Sequence, residues 1–290
     1  MPHFQPRSLI LALSLVAALP LAASAGGSSS FLPDYMKVAN PMVESETWVD
    51  FLREEIVGEA VVFDGDDLMS LDAPVQAFDA ATVPFTLRQR DDSGLKITNL
   101  KIVVDENPMP LAAEFQFGEA MGSVTFESRV RYDIYSNIRA VATVADGRTF
   151  MVGRFVKAAG GCSAAVSRDP VAALATMGQM RLKQFDTSGG QISQLPGTER
   201  EVQLMIRHPN FTGMQVRTGS LDQIEARYID RIEVKLGDEM LFEMVGGFSI
   251  SENPSFRFSY IDNGADYMTV RAVDTEGTEF TETFALRSGT

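Results

Sequence analysis

The chain has 290 residues, 45% of them hydrophobic, and a formal net charge of -14 at pH 7. This composition is typical of a globular protein, and the length suits two domains of ordinary size. A strongly acidic surface repels phosphate backbones and anionic lipid, so we expect neither nucleic acid nor a membrane as a partner. The charge is compatible with a positively charged redox or carrier partner, although solubility alone also explains it.

The N-terminus has the pattern of a secretory signal peptide. Arg7 precedes an apolar stretch over residues 9–19, and small residues occupy positions 23–25. This pattern predicts cleavage after Ala25, and the stretch is shorter than the roughly 20 apolar residues that a membrane-spanning helix needs. We therefore expect residues 1–25 to be a signal peptide and the mature protein to be exported.

A short helix and then a series of strands are predicted in the first half of the chain. The pair Asn40-Pro41 predicts the start of the helix. The apolar side of this helix holds Trp48, Phe51, Leu52 and Ile56. Short runs of alternating hydrophobicity then predict strands, and Asp146-Gly147 between the last two predicts a hairpin. The predicted strands are residues 83–87, 95–104, 111–117, 122–132, 138–144 and 149–156.

A second series of strands is predicted in the other half, with turns between several of them. The turns are Gly237-Asp238, Asn263-Gly264 and Glu276-Gly277. The predicted strands are residues 180–185, 201–206, 228–236, 240–245, 256–261, 267–273 and 278–286. Two groups of short antiparallel strands at regular spacing predict an all-β fold of two β-sandwiches.

The connection between the two groups is rich in alanine, glycine and serine and includes the single cysteine, Cys162. Residues 158–178 therefore predict a flexible connector with one short helix over 171–177. Because Gly160 and Gly161 precede the cysteine, we expect its thiol to be exposed rather than packed. A lone cysteine in an exported protein indicates an intermolecular disulfide or a free reactive thiol.

Nearby cations and the histidine are the candidates for modifying this thiol. Positive charge lowers a thiol pKa, and Arg154, Lys157 and Arg168 are the local cations, although solvated surface charge also explains them. His208 is a candidate base for Cys162, or else a turn histidine at the end of a strand. With one histidine left after cleavage and no glycine-rich phosphate loop, we expect no metal, no cofactor and no enzymatic activity.

The residues of the two halves resemble the two subunits of a bacterial sulfur carrier complex. Similarity to SoxY rests on the helix around Trp48 and on residues 71–74, 79–84, 105–108 and 160–162. Similarity to SoxZ rests on residues 208–209, 212–213, 251–254 with Phe256 and Phe258, and 264–266. The order of these motifs most resembles the single-chain SoxYZ-like carriers that are associated with quinoprotein dehydrogenases.

The resemblance implies a fold, domain bounds and a role for the cysteine. It implies two immunoglobulin-like sandwiches: a SoxY-like domain over 26–168 that ends in the Gly-Gly-Cys arm, a connector over 169–178 and a SoxZ-like domain over 179–290. It also implies that Cys162 carries the cargo covalently, with Gly160 and Gly161 as its arm. In the family the arm ends the chain, whereas here Ser163 and a further domain follow.

Two functions follow as hypotheses. The first is a periplasmic carrier without enzymatic activity, whose thiol binds sulfur-containing intermediates of thiosulfate oxidation and delivers them to sulfur-oxidation enzymes. The second is a non-covalent adaptor of a periplasmic quinoprotein dehydrogenase or its cytochrome, with the cysteine incidental. In both, the resemblance implies that the two domains pair within one chain.

Overall fold

The computed structural model describes residues 39–90, 93–165, 170–185, 197–217, 219 and 222–286, so the predicted signal peptide lies outside these ranges. The first half begins with a π-helical turn, Trp48–Leu52, that continues into helix α1, Arg53–Val57. Its strands are β1 Val62–Asp64, β2 Met69–Asp72, β3 Val83–Gln89, β4 Ile97–Val104, β5 Leu111–Phe117, β6 Thr125–Val130, β7 Ser136–Val144 and β8 Thr149–Val156.

The second half begins with helix α2, Pro170–Ala175, within the predicted connector. Its strands are β9 Met180–Phe185, β10 Glu199–Ile206, β11 Ile229–Leu236, β12 Glu239–Gly246, β13 Ser255–Ile261, β14 Tyr267–Asp274 and β15 Glu279–Ala285. Each strand predicted from the sequence is present, and the all-β prediction is confirmed. Strands β1 and β2 were not predicted.

The strands form two sheets, and each half contributes to both. The larger sheet has nine strands in the order β1-β8-β7-β4-β5-β12-β11-β14-β15, and the smaller has six in the order β2-β3-β6-β13-β10-β9. All pairs of strands are antiparallel except β1 with β8. Each half is therefore a sandwich of two sheets, as predicted, and the two sandwiches are joined edge to edge.

Two strand pairs make this junction. In the larger sheet β5 pairs with β12, with Phe117 opposite Phe242, and in the smaller sheet β6 pairs with β13, with Phe126 opposite Phe258. Between the sheets, Phe126 packs on Phe115, with ring centroids 4.6 Å apart. Since buried aromatic side chains contribute much of the energy of a core, the two halves share one continuous core and pair within the chain.

The N-terminal helix is shorter than predicted. It does not begin at Asn40, because the Asn40 side chain donates hydrogen bonds to the carbonyl oxygens of Ala73 and Phe155 and fixes this segment against the sandwich. Instead, the Ser45 hydroxyl caps the first turn by accepting from the backbone N–H of Trp48 at 3.1 Å. Phe51, predicted on the apolar side, is exposed.

One buried ion pair lies beneath this helix. The guanidinium of Arg139 donates to both carboxylate oxygens of Asp105 at 2.7 Å. The same guanidinium lies 4.2 Å from the ring centroid of Trp48, which is close enough for a cation–π contact. The ion pair and the indole ring thus anchor the helix to β7. Within the described ranges, no helix has the length and apolar character needed to cross a membrane.

Candidate functional site

The candidate site is the segment from Lys157 to Ala164, which we call the arm and which carries Cys162. It leaves the end of β8 and runs toward the second half of the molecule. The structure places the Cys162 side chain at 0% exposure, so the prediction of an exposed thiol is wrong. The residue lies inside the protein at the boundary between the two halves.

The two glycines explain both the prediction and its failure. Gly160 has a φ of +82°, a conformation that glycine adopts without strain, and its N–H donates to the carbonyl oxygen of Asp133 at 2.7 Å. A Cβ atom on Gly161 would lie 2.0 Å from the carbonyl oxygen of Ala80. The glycine at 161 therefore allows close packing of the arm. From the sequence alone, the same two glycines predict flexibility.

Three side chains hold the carbonyl groups of the arm. Thr212 donates to the carbonyl oxygen of Cys162 at 2.6 Å, and Gln215 donates to that of Ala164 at 3.0 Å. Arg131 donates to the carbonyl oxygen of Gly161 at 3.3 Å. We call these three hydrogen bonds the latch, and two of them come from the second half of the chain.

Arg131 also connects the latch to a turn of the second half. Its guanidinium donates to the carbonyl oxygens of Pro209 and Asn210 at 3.5 and 3.3 Å. Arg131 is 1% exposed, and burial lowers its pKa, with opposing contributions from Glu252 and Cys162 among others. A cation that is bonded only to neutral carbonyls forms a weaker contact than one paired with a carboxylate.

The buried position changes the acidity of the thiol. Burial, with a smaller contribution from the charge of Asp133, raises the pKa of the Cys162 thiol to about 12 against the opposing charge of Arg131. Because the thiolate is the nucleophile, Cys162 is protonated and unreactive at neutral pH while the arm is held in this position.

Two of the three predicted cations, Arg154 and Lys157, do not act on the thiol. Arg154 donates to the carbonyl oxygen of Gly153, and Lys157 forms a backbone hydrogen bond with Val75. The charged groups that shift the pKa of the thiol are Asp133 and Arg131, while Arg168 lies outside the described residues. Sequence reasoning missed Arg131 because it falls inside a predicted strand, and no local pattern shows that it faces the arm.

His208 does not serve as a base for Cys162. Its Nδ1 lies 2.8 Å from Oδ1 of Asn210, and its Nε2 lies 3.6 Å from Oδ2 of Asp274, which is too long for a hydrogen bond. The ring is buried, and burial lowers its pKa. His208 therefore stabilises the turn whose carbonyls Arg131 binds. The described residues include no group of three His, Cys, Asp or Glu side chains placed to hold a metal ion.

Two protein families match the chain, one for each half. The model of sulfur oxidation protein SoxY matches residues 53–162, and that of sulphur oxidation protein SoxZ matches residues 191–285.

The chain is a fused SoxYZ-like protein.

The SoxY match ends at Cys162, so Arg131 and the arm as far as Cys162 belong to the SoxY domain. The SoxZ domain contributes Thr212 and Gln215. The latch is thus an interface between the two domains, formed at the cysteine.

Similar solved structures include the sulfur carrier protein SoxY from Chlorobium limicola f thiosulfatophilum. It is 24% identical, with a TM-score of 0.33, over 39% of this chain and 97% of that one. A β-glycosidase from Bacteroides vulgatus is 10% identical, with a TM-score of 0.23, over 76% of this chain and 25% of that one. The secreted serine protease VesC from Vibrio cholerae is 12% identical, with a TM-score of 0.24, over 76% of this chain and 49% of that one. No curated protein sequence matches the chain.

Proposed function

We propose that the chain is a covalent sulfur carrier whose thiol, Cys162, is stored inside the protein and becomes reactive when the arm leaves the latch. The observation that carries this proposal is the family assignment: the SoxY match ends at Cys162, and the SoxZ domain follows in the same chain. Cys162 is also the single cysteine of the sequence, so no other thiol competes for the role.

The transfer step is an exchange at sulfur. After release, the Cys162 thiol loses its proton to solvent, and the thiolate attacks the outer sulfur of a persulfide on a donor protein. One S–S bond forms between Sγ and that sulfur, while the S–S bond of the donor breaks and the donor leaves as a thiolate. The exchange needs no external oxidant, because one S–S bond replaces another.

Release of the arm changes the reactivity of the thiol strongly. If the pKa falls from about 12 to the ordinary value near 8.5, the thiolate fraction at pH 7 rises roughly 3,000-fold. The latch consists of three side-chain hydrogen bonds, each worth about 0.5–1.5 kcal/mol, or somewhat more for a charged donor. A docked partner can supply free energy of this size, so partner binding is the proposed trigger for release.

The proposal also includes a cellular location and partner proteins. Residues 1–25 fit a signal peptide, which supports export to the periplasm. There the carrier would exchange cargo with sulfur-oxidation enzymes, or with a quinoprotein dehydrogenase and its cytochrome, and would itself catalyse no reaction. A docked enzyme with a positively charged surface would complement the net charge of -14.

Intact-mass analysis of protein purified from its native cells tests this function. We expect adducts of one or more sulfur atoms on Cys162 that reductant removes, and we expect none on a Cys162→Ala variant prepared in parallel. An unmodified wild-type mass under conditions of active sulfur oxidation would contradict the carrier function.

The buried thiol favours a second candidate, a non-covalent adaptor in which Cys162 is a packing residue. Its 0% exposure and raised pKa are typical of an inert cysteine. The Cys162→Ala variant separates the two: an adaptor retains its cellular function, whereas a carrier loses it while remaining folded.

A further inference from the structure

A cleft of about 640 Å³ lies at the smaller sheet, lined by residues of both halves of the chain. Three arginines line it: Arg129 of β6 in the first half, and Arg181 of β9 and Arg207, which follows β10, in the second. The remaining lining residues are polar or sulfur-containing for the most part: Gln179, Met180, Gln203, Met205, Ile206, Asn253, Ser255 and Glu282.

The arginines of the cleft differ from others on the same sheet in having no salt bridge among the described residues. Arg88 pairs with Asp72 and Glu127, and Arg257 lies near Glu127 and Glu201. Those arginines are neutralised by a row of alternating charges across the sheet.

Within the described part of the chain, by contrast, no salt bridge reaches the three arginines of the cleft. Arg129 donates to the carbonyl oxygen of Asn253 at 3.3 Å, and burial lowers its pKa. The side chains of Arg181 and Arg207 have neither a hydrogen bond nor an ion pair among the described residues. Among the described lining residues Glu282 is the one carboxylate, and it is exposed, as are Arg181 and Arg207. Three arginines without a salt bridge in the described part of the chain thus line one cavity of a protein with a net charge of -14.

The number of arginines in the lining favours one class of anion. A planar carboxylate is saturated by one guanidinium in a bidentate contact. Three arginines offer more donors than one carboxylate accepts, and this number suits an anion with three or four oxygens around a tetrahedral centre. The volume also leaves room for water or an organic substituent against Met180 and Met205.

The cleft lies close to the arm. Arg129 and Arg131 are two positions apart on one extended segment, so they face the same side, about 7 Å apart along the chain. The charges of Glu252 and Asp79 act on the pKa of both. Because Arg131 donates to the arm at Gly161, the cleft and the Cys162 site are neighbours on one face.

We propose that this cleft binds a free tetrahedral sulfur oxyanion of the sulfate and thiosulfate class without a covalent bond. The choice of sulfur rather than phosphorus rests on the proposed function, whereas the choice of a tetrahedral oxyanion rests on the three arginines. Bound there, the anion is held at high local concentration beside the arm.

Calorimetric titration of the full chain with sodium thiosulfate and sodium sulfate tests the proposal, with phosphate and nitrate as comparison anions. The Cys162→Ala variant is used alongside wild type, so that covalent capture cannot produce the signal. We expect saturable binding of thiosulfate and sulfate in both proteins, weaker binding of phosphate, and none of nitrate. If Cys162→Ala bound neither thiosulfate nor sulfate, the proposed oxyanion site in the cleft would be overturned, even if wild-type protein carried adducts on Cys162. Tighter binding of phosphate would overturn the assignment to sulfur.

A pair of double variants assigns the binding to the cleft. Arg181→Gln with Arg207→Gln removes two guanidinium groups from the lining, and Arg53→Gln with Arg231→Gln removes the same charge from exposed positions elsewhere. We expect the first double variant to weaken binding at least tenfold, and the second by less than twofold, with unchanged thermal unfolding of both. Equal weakening in the two would show a general charge effect and overturn the site. Loss of oxyanion binding leaves the adduct on Cys162 unaffected, so each proposal can fail without the other.

Discussion

Two arginines of the SoxY domain are buried to a similar degree, but their partners differ in kind. Arg139 is 4% exposed and Arg131 is 1% exposed. Arg139 meets the carboxylate of Asp105 with two hydrogen bonds of 2.7 Å, whereas Arg131 meets only carbonyl oxygens, at 3.3–3.5 Å. Removing one partner of a buried ion pair strongly lowers the free energy of unfolding. Breaking the hydrogen bonds between an arginine and carbonyl oxygens lowers it less. The first arrangement suits a permanent anchor, and the second suits a contact that must open.

The largest effect is expected at the anchor. Asp105→Ala leaves the Arg139 charge buried without a partner, so we expect the free energy of unfolding to fall by about 3–5 kcal/mol. Urea denaturation measures this change. As a control, Asp146→Ala removes the partner of the exposed Arg148, and we expect little measurable change. If the two variants were equally stable, the ion pair would not act as an anchor.

The second effect concerns the latch. Arg131→Met keeps the apolar part of the side chain and removes the hydrogen bonds to Gly161, Pro209 and Asn210. We expect the free energy of unfolding to fall by about 1–3 kcal/mol and alkylation of Cys162 in native protein to accelerate at least tenfold. Arg154→Met serves as the control, because Arg154 does not act on the thiol.

The two variants together separate local opening from global unfolding. We expect Asp105→Ala to destabilise the protein more, although it removes none of the three hydrogen bonds of the latch. If Cys162 reacts through local opening of the arm, Arg131→Met must label faster than Asp105→Ala. The reverse order would show that alkylation requires unfolding of the whole domain, and the latch would have no separate function.

The strands could be predicted from the sequence, whereas the contacts between distant segments could not. The strands follow from alternating hydrophobicity and from turns such as Asp146-Gly147, which depend on neighbouring residues. The joining of β5 to β12 depends on residues more than 100 positions apart, and no local pattern specifies it. Strand β1 has three residues and is paired in parallel with β8, so its periodicity is too short to detect.

The surroundings of Cys162 could not be predicted from the sequence. The sequence placed Cys162 between two groups of strands, and in the structure it lies between β8 and β9 but is buried. The glycines before it were interpreted as flexibility, yet the close approach of Gly161 to Ala80 requires glycine for packing. The residues that hold the arm, Arg131, Thr212 and Gln215, come from two distant segments, and only the pairing of the two domains brings them together.

A third effect is the pH dependence of stability. The pKa of Cys162 is raised to about 12 in the folded state, so the contribution of the protonated thiol is fully present below the unfolded pKa of about 8.5 and is lost as pH rises toward 12. Between pH 7.5 and 9.5 we expect wild-type protein to lose about 1 kcal/mol more than Cys162→Ala. Burial also raises the pKa of Tyr132 and Tyr260 above 10, and restricting the measurement to pH 9.5 keeps their contribution small. Parallel pH curves for the two proteins would show that the thiol is not buried in solution.

The smallest effect is expected on the SoxZ side of the latch. Thr212→Val keeps the shape of the side chain and removes the hydroxyl that donates to the carbonyl oxygen of Cys162. We expect a loss of about 0.5–1 kcal/mol in the free energy of unfolding and a two- to fivefold faster alkylation of Cys162, since roughly 1.4 kcal/mol corresponds to a factor of ten. Thr281→Val on the exposed face of β15 is the matched control and should change neither quantity. Because Thr212 belongs to the SoxZ domain and Cys162 to the SoxY domain, faster alkylation in the first variant alone would show that one domain controls the thiol of the other. If Thr212→Val and Thr281→Val label at the same rate, the SoxZ domain stabilises the fold without restraining the arm.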